Sequence, residues 1–262
     1  MEGLEGRFEL AQQLAQQAGT LLAENLSGDF AVSKKGAINL VTEMDLRAEK
    51  LILQGIHSRF PNDAILSEEE GKREGDAGRR WIIDPLDGTT NYAHGYRLFC
   101  VSIAFELDGE VVLGVVHDPM ADETFKARKG QGAFLNGVPM RVSEQDSLMD
   151  SLLCTGFPYE MDAIREGLEL FSRVLLQSRA VRRDGSAALD LCFVAAGRFE
   201  GFWEKGLNSW DVAAGQLIVS QAGGRVTDFQ DGPIQLEGRQ IVATNGGIHQ
   251  ALLEAISGSG GC

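Results

Sequence analysis

Trp81-Ile82-Ile83-Asp84-Pro85-Leu86-Asp87-Gly88-Thr89-Thr90-Asn91 is the stretch on which the reading of this chain turns. Its first three residues form the short apolar run of a buried strand, and Asp84 stands at the end of that run. Pro85 is expected to take the chain out of the ladder, and Asp87-Gly88 to open a turn. Two carboxylates are then presented three residues apart. If a short helix starts at Gly88 to Asn91, its free backbone N–H groups point at the same volume, and a helix N-terminus attracts phosphate. Carboxylates and phosphate exclude each other unless cations lie between them. Two bare carboxylates about 4 Å apart repel by roughly 1 kcal/mol in water and about 4 kcal/mol at an effective dielectric near 20, a conflict that hard cations such as Mg²⁺ resolve. These residues alone also allow a plainer reading, in which Asp87 caps a turn and Asp84 faces solvent.

Upstream, Phe8, Ala11, Leu14, Ala15, Ala18, Leu21 and Leu22 recur at helical spacing, which predicts an amphipathic helix. A second helix is expected from near Asp45 until Pro61 bars continuation. Strands are expected at residues 64–66 and 81–83, and residues 99–107 and 110–117 flank Asp108-Gly109, a strong hairpin signal. Residues 123–128, the Gly130/Gly132 pair and Asn136-Gly137 add strand and turn chemistry. The remainder alternates: strand 152–155, helix 161–177, strand 180–183, helix 187–196, strand 199–203, helix 211–222, and strands near Val226 and 241–243. The first half therefore reads as helices followed by an antiparallel-rich sheet and the second as α/β. The expected division is an N-terminal α+β half over 1–145, a C-terminal α/β half over 146–256 and a flexible tail over 257–262. With no linker near 140–150, the halves are expected to share one extended sheet or a broad interface.

The 262 residues, 44% of them hydrophobic, can bury an ordinary core. Thirty-eight acidic residues against 24 basic ones give a formal charge of -14, which argues against nucleic acid and anionic membrane as partners. Cys100, Cys154, Cys192 and Cys262 form no C-x-x-C pair and the first three lie in apolar runs, so buried thiols are expected rather than zinc. No run of about 18 apolar residues occurs, and a cytoplasmic protein is expected. Gly130-Gln131-Gly132 leads into a hairpin and not a helix, which argues against a dinucleotide site; the four histidines show no ligand spacing, and Ser186 lacks a G-x-S-x-G context.

Asp84-Pro85-Leu86-Asp87-Gly88-Thr89-Thr90-Asn91 resembles the first signature of the inositol monophosphatase family. Trp210-Asp211-Val212-Ala213-Ala214-Gly215, with Gln221-Ala222-Gly223-Gly224 after it, resembles the second. Leu66-Ser67-Glu68-Glu69-Glu70 looks like the segment that supplies a metal-binding glutamate, and Leu40-Val41-Thr42-Glu43-Met44-Asp45 like the entry to the helix upstream. Four motifs in order are far more specific than one.

The resemblance implies a layered αβαβα sandwich shared with fructose-1,6-bisphosphatases, and a phosphoric monoester hydrolase that converts inositol monophosphate to inositol and phosphate with metal-activated water. It implies two or three Mg²⁺ ions: one held by Glu68, Asp84 and the Leu86 carbonyl, a second by Asp84, Asp87 and Asp211, with Glu68 helping a third. Gly88 and Thr89 would bind phosphate through their backbone, and Thr89, oriented by Asp45, would act with Glu68 on the attacking water. Lys34 matches a catalytic-loop lysine, with Lys35 as a rival beside it. Glu204 resembles the carboxylate that binds ring hydroxyls, Gly185-Ser186-Ala187 the turn beside the ring. Asp87 and Asp211 would also touch substrate. Homodimers and Li⁺ sensitivity go with the family.

Singly, several of these residues have plainer readings: Asp211 or Asp45 as a helix N-cap, Glu68 in a solvated acidic run, Glu204 on a surface strand. Asp184 and Asn208 depart from the family pattern beside the substrate position and leave the alcohol open. The same chemistry on fructose 1,6-bisphosphate, histidinol phosphate or a nucleotide 3′-phosphate is the alternative, followed by a catalytically silent regulatory protein. No role follows for Cys262.

Overall fold

A computed structural model describes residues 2–28, 31–34, 40–158 and 161–258. Helix α1 (Glu2–Asn25) buries Leu10, Ala11, Leu14, Ala15, Ala18 and Leu22, the stripe its sequence period requires. Strands β1 (Val32–Lys34) and β2 (Leu40–Thr42) pair antiparallel and lead into α2 (Glu43–Arg59). This helix starts two residues before the expected Asp45, because Thr42 is its cap. The Thr42 hydroxyl accepts from the N–H groups of Met44 (3.1 Å) and Asp45 (3.4 Å), and the Asp45 carboxylate accepts from Thr42 N (2.8 Å). The N-cap reading of Asp45 is thus corrected: it occupies the third helical position of a capping box.

A large sheet follows, from β3 (Asp63–Ser67), β4 (Gly71–Arg73) and β5 (Asp76–Asp87), the short helix α3 (Thr89–Ala93), and then β6 (Cys100–Leu107), β7 (Glu110–Asp118), β8 (Glu123–Arg128), β9 (Ala133–Leu135) and β10 (Val138–Met140). Its strand order is β10-β9-β8-β7-β6-β5-β3-β4, antiparallel except for the parallel pair β3/β5. Asp108 (φ 53) and Gly109 (φ 84) both take the left-handed conformation that a two-residue hairpin needs. Pro85 does not end β5 as expected. Asp84 pairs with Ser102 and Asp87 with Cys100, so Pro85 and Leu86 together oppose Val101 alone. A bulge absorbs the proline's missing N–H and lets the strand run on to Asp87.

The second sheet is built from β11 (Leu152–Thr155), α4 (Met161–Leu175), β12 (Ala180–Arg182), α5 (Ala187–Ala195), β13 (Gly201–Lys205), α6 (Ser209–Gln221), β14 (Arg225–Thr227), β15 (Gln240–Thr244) and α7 (His249–Ser257). Its order is β12-β11-β13-β15-β14, with β12, β11 and β13 parallel and β15 antiparallel to both of its neighbours. Helix α6 begins at Ser209, capped by Asn208, and not at Asp211, which corrects the N-cap reading of Asp211. Strand β13 begins at Gly201 rather than 199, and α7 is an element the sequence pattern did not announce.

The alternation of β5 sets the layers. Trp81 and Ile83 pack with Leu14, Ile52 and Ile56 of α1 and α2, while Ile82 packs on the opposite face with Leu191, Ala213 and Ile218 of α5 and α6. Phe202, Ile241 and Ala243 of the second sheet close on those same helices, and its outer face carries Leu170 and Val174 of α4 and Leu252 of α7. The order is helix, sheet, helix, sheet, helix. Gly114 on β7 permits the central contact, since a Cβ there would lie 2.8 Å from the Ala214 carbonyl oxygen of α6.

Candidate active site

The carboxyl end of β5 and the amino ends of α3, α5 and α6 meet at one cleft of about 270 Å³. Asp84 sits immediately before the bulge, 2% exposed, and its Oδ1 accepts from Leu86 N at 3.0 Å. It does not face solvent. Asp87 at the strand's end accepts through Oδ2 from the Ser186 hydroxyl (2.6 Å) and Ala188 N (2.8 Å). Its partners lie on α5 and its approach, so its role goes beyond capping its own turn. Asp211, at the third position of α6, accepts from Asn208 N at 2.6 Å. One oxygen from each of Asp84, Asp87 and Asp211 lies within 4.8 Å of the other two.

Gly88 turns the chain from β5 into α3 with φ 96, and a Cβ there would lie 3.0 Å from Leu98 O and 3.2 Å from Phe99 Cβ, so only glycine fits. The next residue, Thr89, places Oγ1 2.9 Å from Asp45 Oδ1 and 3.0 Å from Leu86 O. Asp45 is fully buried. One carboxylate thus caps α2 with one oxygen and meets Thr89 with the other.

Glu68 is half-buried and lines the cleft beside Asp84, which argues against the plainer reading of it as one of a solvated acidic run. Glu204 on β13 lines the opposite wall with Ser186, Ala187, Gly206 and Asn208, and is no surface residue. Its carboxylate lies flat against Gly156, where any side chain would collide with it. Asp184 lies between the lining residues Arg183 and Gly185 but does not itself line the cleft; its carbonyl accepts from Asn91 Nδ2 of α3 at 2.8 Å. Lys34 ends β1; its side chain, Lys35, Gly36 and Cys262 lie outside the described residues. Gly130 and Gly132 have φ of 75 and 82 in the turn between β8 and β9, as turn glycines should.

Crowding these acids has an electrostatic cost. Burial, then the charges of Glu68, Asp87 and Asp211, pushes Asp84 well above the usual carboxylate range. Asp87 is raised by burial and partly relieved by the Ser186 and Ala188 donors. Asp211 is pushed up to about 8 by burial and then by Asp87. Glu204 is raised by burial and then by Asp211, and Asp45 by burial against its hydrogen bonds from Thr42 and Thr89. Such a set holds protons unless a cation replaces them.

The sequence reading missed Asp190, Arg183, Arg239 and Cys100. Asp190 lines the cleft at 1% exposure, and its Oδ1 has no hydrogen-bond partner among the described residues. Its signal was available: it is the one charged residue of the otherwise apolar α5. Arg183 and Arg239 arrive from separate loops, and Cys100 places Sγ 3.8 Å from Asp87 Oδ2, none of which sequence spacing could announce. Cys100, Cys154 and Cys192 are buried free thiols. No described helix is long and apolar enough to cross a membrane.

The chain is 43% identical over 257 residues to Nus factor SuhB of Pseudomonas aeruginosa, covering 95% of each chain. It is 43% identical over 249 residues to the inositol-1-monophosphatase of Mesorhizobium japonicum, covering 92% of this chain and 93% of that one. Among solved structures, the extragenic suppressor protein suhB from Bartonella henselae superposes with a TM-score of 0.93 at 40% identity, over 96% of this chain and 98% of that one. The profile of the inositol monophosphatase family matches residues 4–260, and the chain belongs to that family of phosphatases.

Proposed function

We propose that this protein is a Mg²⁺-dependent phosphomonoesterase that hydrolyses inositol monophosphate to inositol and phosphate. The observation that carries the reading is the convergence of Asp84, Asp87 and Asp211 on one volume at the start of α3, beside the Thr89–Asp45 contact. The donor set fits a hard divalent cation. Its oxygens lie within 4.8 Å of one another, near enough that small side-chain shifts bring them onto an octahedral ion, whose opposite ligands stand about 4.2 Å apart. All are carboxylates, and the crowding that raises their proton affinity favours a cation.

Asp84, Asp87 and Asp211, with Glu68 and the Leu86 carbonyl, would hold two or three ions. When bound, such ions lower the pKa of a coordinated water and neutralise charge on the phosphate and the departing alkoxide. The backbone N–H groups of Gly88 and Thr89 hold phosphate oxygens. The buried Asp45 carboxylate accepts a hydrogen bond from the Thr89 hydroxyl, which leaves a Thr89 lone pair to accept a hydrogen bond from the attacking water. Glu68 would hold that water from the other side and take the proton that the departing alkoxide recovers. Across the cleft, Glu204 accepts from hydroxyls of the alcohol, and Ser186 and Ala187 form the turn that seats it. Asp184 and Asn208 tune which alcohol fits.

A role as a factor without catalysis is the weaker reading, although relatives named Nus factor SuhB match as well as those named inositol-1-monophosphatase. The complete set of acids favours chemistry. Family membership also supports a homodimer inhibited by Li⁺, and the buried free thiols accord with a cytoplasmic location. A panel of inositol 1-phosphate, fructose 1,6-bisphosphate, histidinol phosphate and adenosine 3′,5′-bisphosphate tests the substrate. The inositol ester should turn over fastest; a faster second ester would reassign the alcohol, and silence on all four with a captured partner would favour the factor role.

A further inference from the structure

Asp45 and Glu49 stand four residues apart on α2, so they share one face of that helix. Asp45 meets Thr89. Glu49, 5% exposed, serves the turn that carries Glu68: its Oε1 accepts from the backbone N–H groups of Glu69 and Glu70, both at 3.0 Å, and from the Ser67 hydroxyl. These three donors bracket Glu68 on both sides. Glu68 itself donates its N–H to Ile83 O at 3.3 Å on β5. Besides the Ser67–Gly71 pairing of β3 with β4, the turn is therefore held from α2 by one buried carboxylate oxygen that takes three donors at once.

We propose that Glu49 is a positioning residue that fixes Glu68 relative to Asp84, so that α2 sets both the Glu68 turn, through Glu49, and the Thr89 hydroxyl, through Asp45. The inference rests on the reading of Glu68 as a metal ligand. Removing Glu49 strips two turn amides and one hydroxyl of their common acceptor, and Glu68 loses its fixed distance to the other acids. Groups that orient a metal ligand from behind are typically worth about 10–100-fold in metal affinity or activity.

The test is calorimetric titration of the purified full-length chain with Mg²⁺ alone, without substrate, beside amide hydrogen exchange. Glu49→Ala should weaken Mg²⁺ binding by about tenfold or more and speed exchange at Glu69 and Glu70. Glu49→Gln, which keeps an oxygen acceptor in place, should recover most of that affinity. A folded Glu49→Ala chain that binds Mg²⁺ as the wild type does overturns the proposal. Should that variant not fold, Ser67→Ala decides: weaker Mg²⁺ binding supports the grip, unchanged binding overturns it. A wild-type chain that binds no Mg²⁺ sinks the metal reading and this inference together, whereas unequal wild-type and variant binding that leaves Glu69 and Glu70 exchange unchanged overturns the positioning role alone.

Discussion

The two walls of the cleft treat their acids differently. On the β5 wall, Asp84, Asp87 and Asp211 each accept from a backbone N–H, Asp87 also from Ser186, and Asp45 from Thr42 and Thr89. On the wall formed by α5 and β13, Glu204 lies against a bare glycine and Asp190 Oδ1 is buried without a partner among the described residues. An unpartnered buried polar group costs about 1–3 kcal/mol, a cost tolerated where a ligand completes the bonding. Groups fixed before the reaction need no reorganisation during it. On the proposed reading, the first wall would carry bond breaking and the second would recognise the alcohol.

Breaking the first wall should have the largest effect. Asp84→Asn is expected to lower kcat by about 10³-fold, at the upper end for loss of one preorganised charge, and steady-state phosphate release checks it. Near-normal turnover would show that the acids do not act together. Thr89→Ala and Asp45→Asn should each lower kcat by about 10²-fold with little change in KM. Because they act through one hydrogen bond, the double variant should be hardly worse than either single one; additive losses would separate them. Glu204→Gln probes the second wall and should cost about tenfold in kcat/KM for the inositol ester, with Mg²⁺ dependence unchanged and the ranking of alcohols altered.

The smallest effect is on stability. Asp211 is raised to about 8 in the folded chain without metal, from an ordinary value of 3.8, so between those values the folded state holds a proton that the unfolded chain releases. Stability of the metal-free protein should then fall as pH rises through that window, and Mg²⁺ should flatten the slope by replacing the proton. Differential scanning calorimetry with and without EDTA reads this directly. A metal-free Tm that climbs across the window would contradict the assignment.

How much of this was legible in the sequence follows from where each constraint resides. The stretch from Trp81 to Asn91 could be read because strand, turn and helix start are consecutive, and β5 does deliver Asp84 and Asp87 to one place. Its proline misled, since a bulge is a pairing property of two strands and only one is visible at a time. Asp45 and Asp211 were open to reading as caps because position three of a capping box resembles the cap itself until Thr42 and Asn208 are seen to occupy that place. Glu68, Glu204 and Ser186 entered through resemblance alone; their meeting depends on β3, β13 and α5 packing around the central helices. Glu49, Arg183 and Arg239 carry no local signal, since their partners are distant along the chain or backbone groups of another turn.

The most direct test of the account is phosphate release from inositol 1-phosphate by the purified chain, titrated with Mg²⁺ after treatment with EDTA. The account predicts no release in EDTA, saturable recovery with Mg²⁺, and no recovery for Asp84→Asn at the same Mg²⁺ concentration. Release that persists in EDTA, or that Asp84→Asn supports as well as the wild type does, would contradict it.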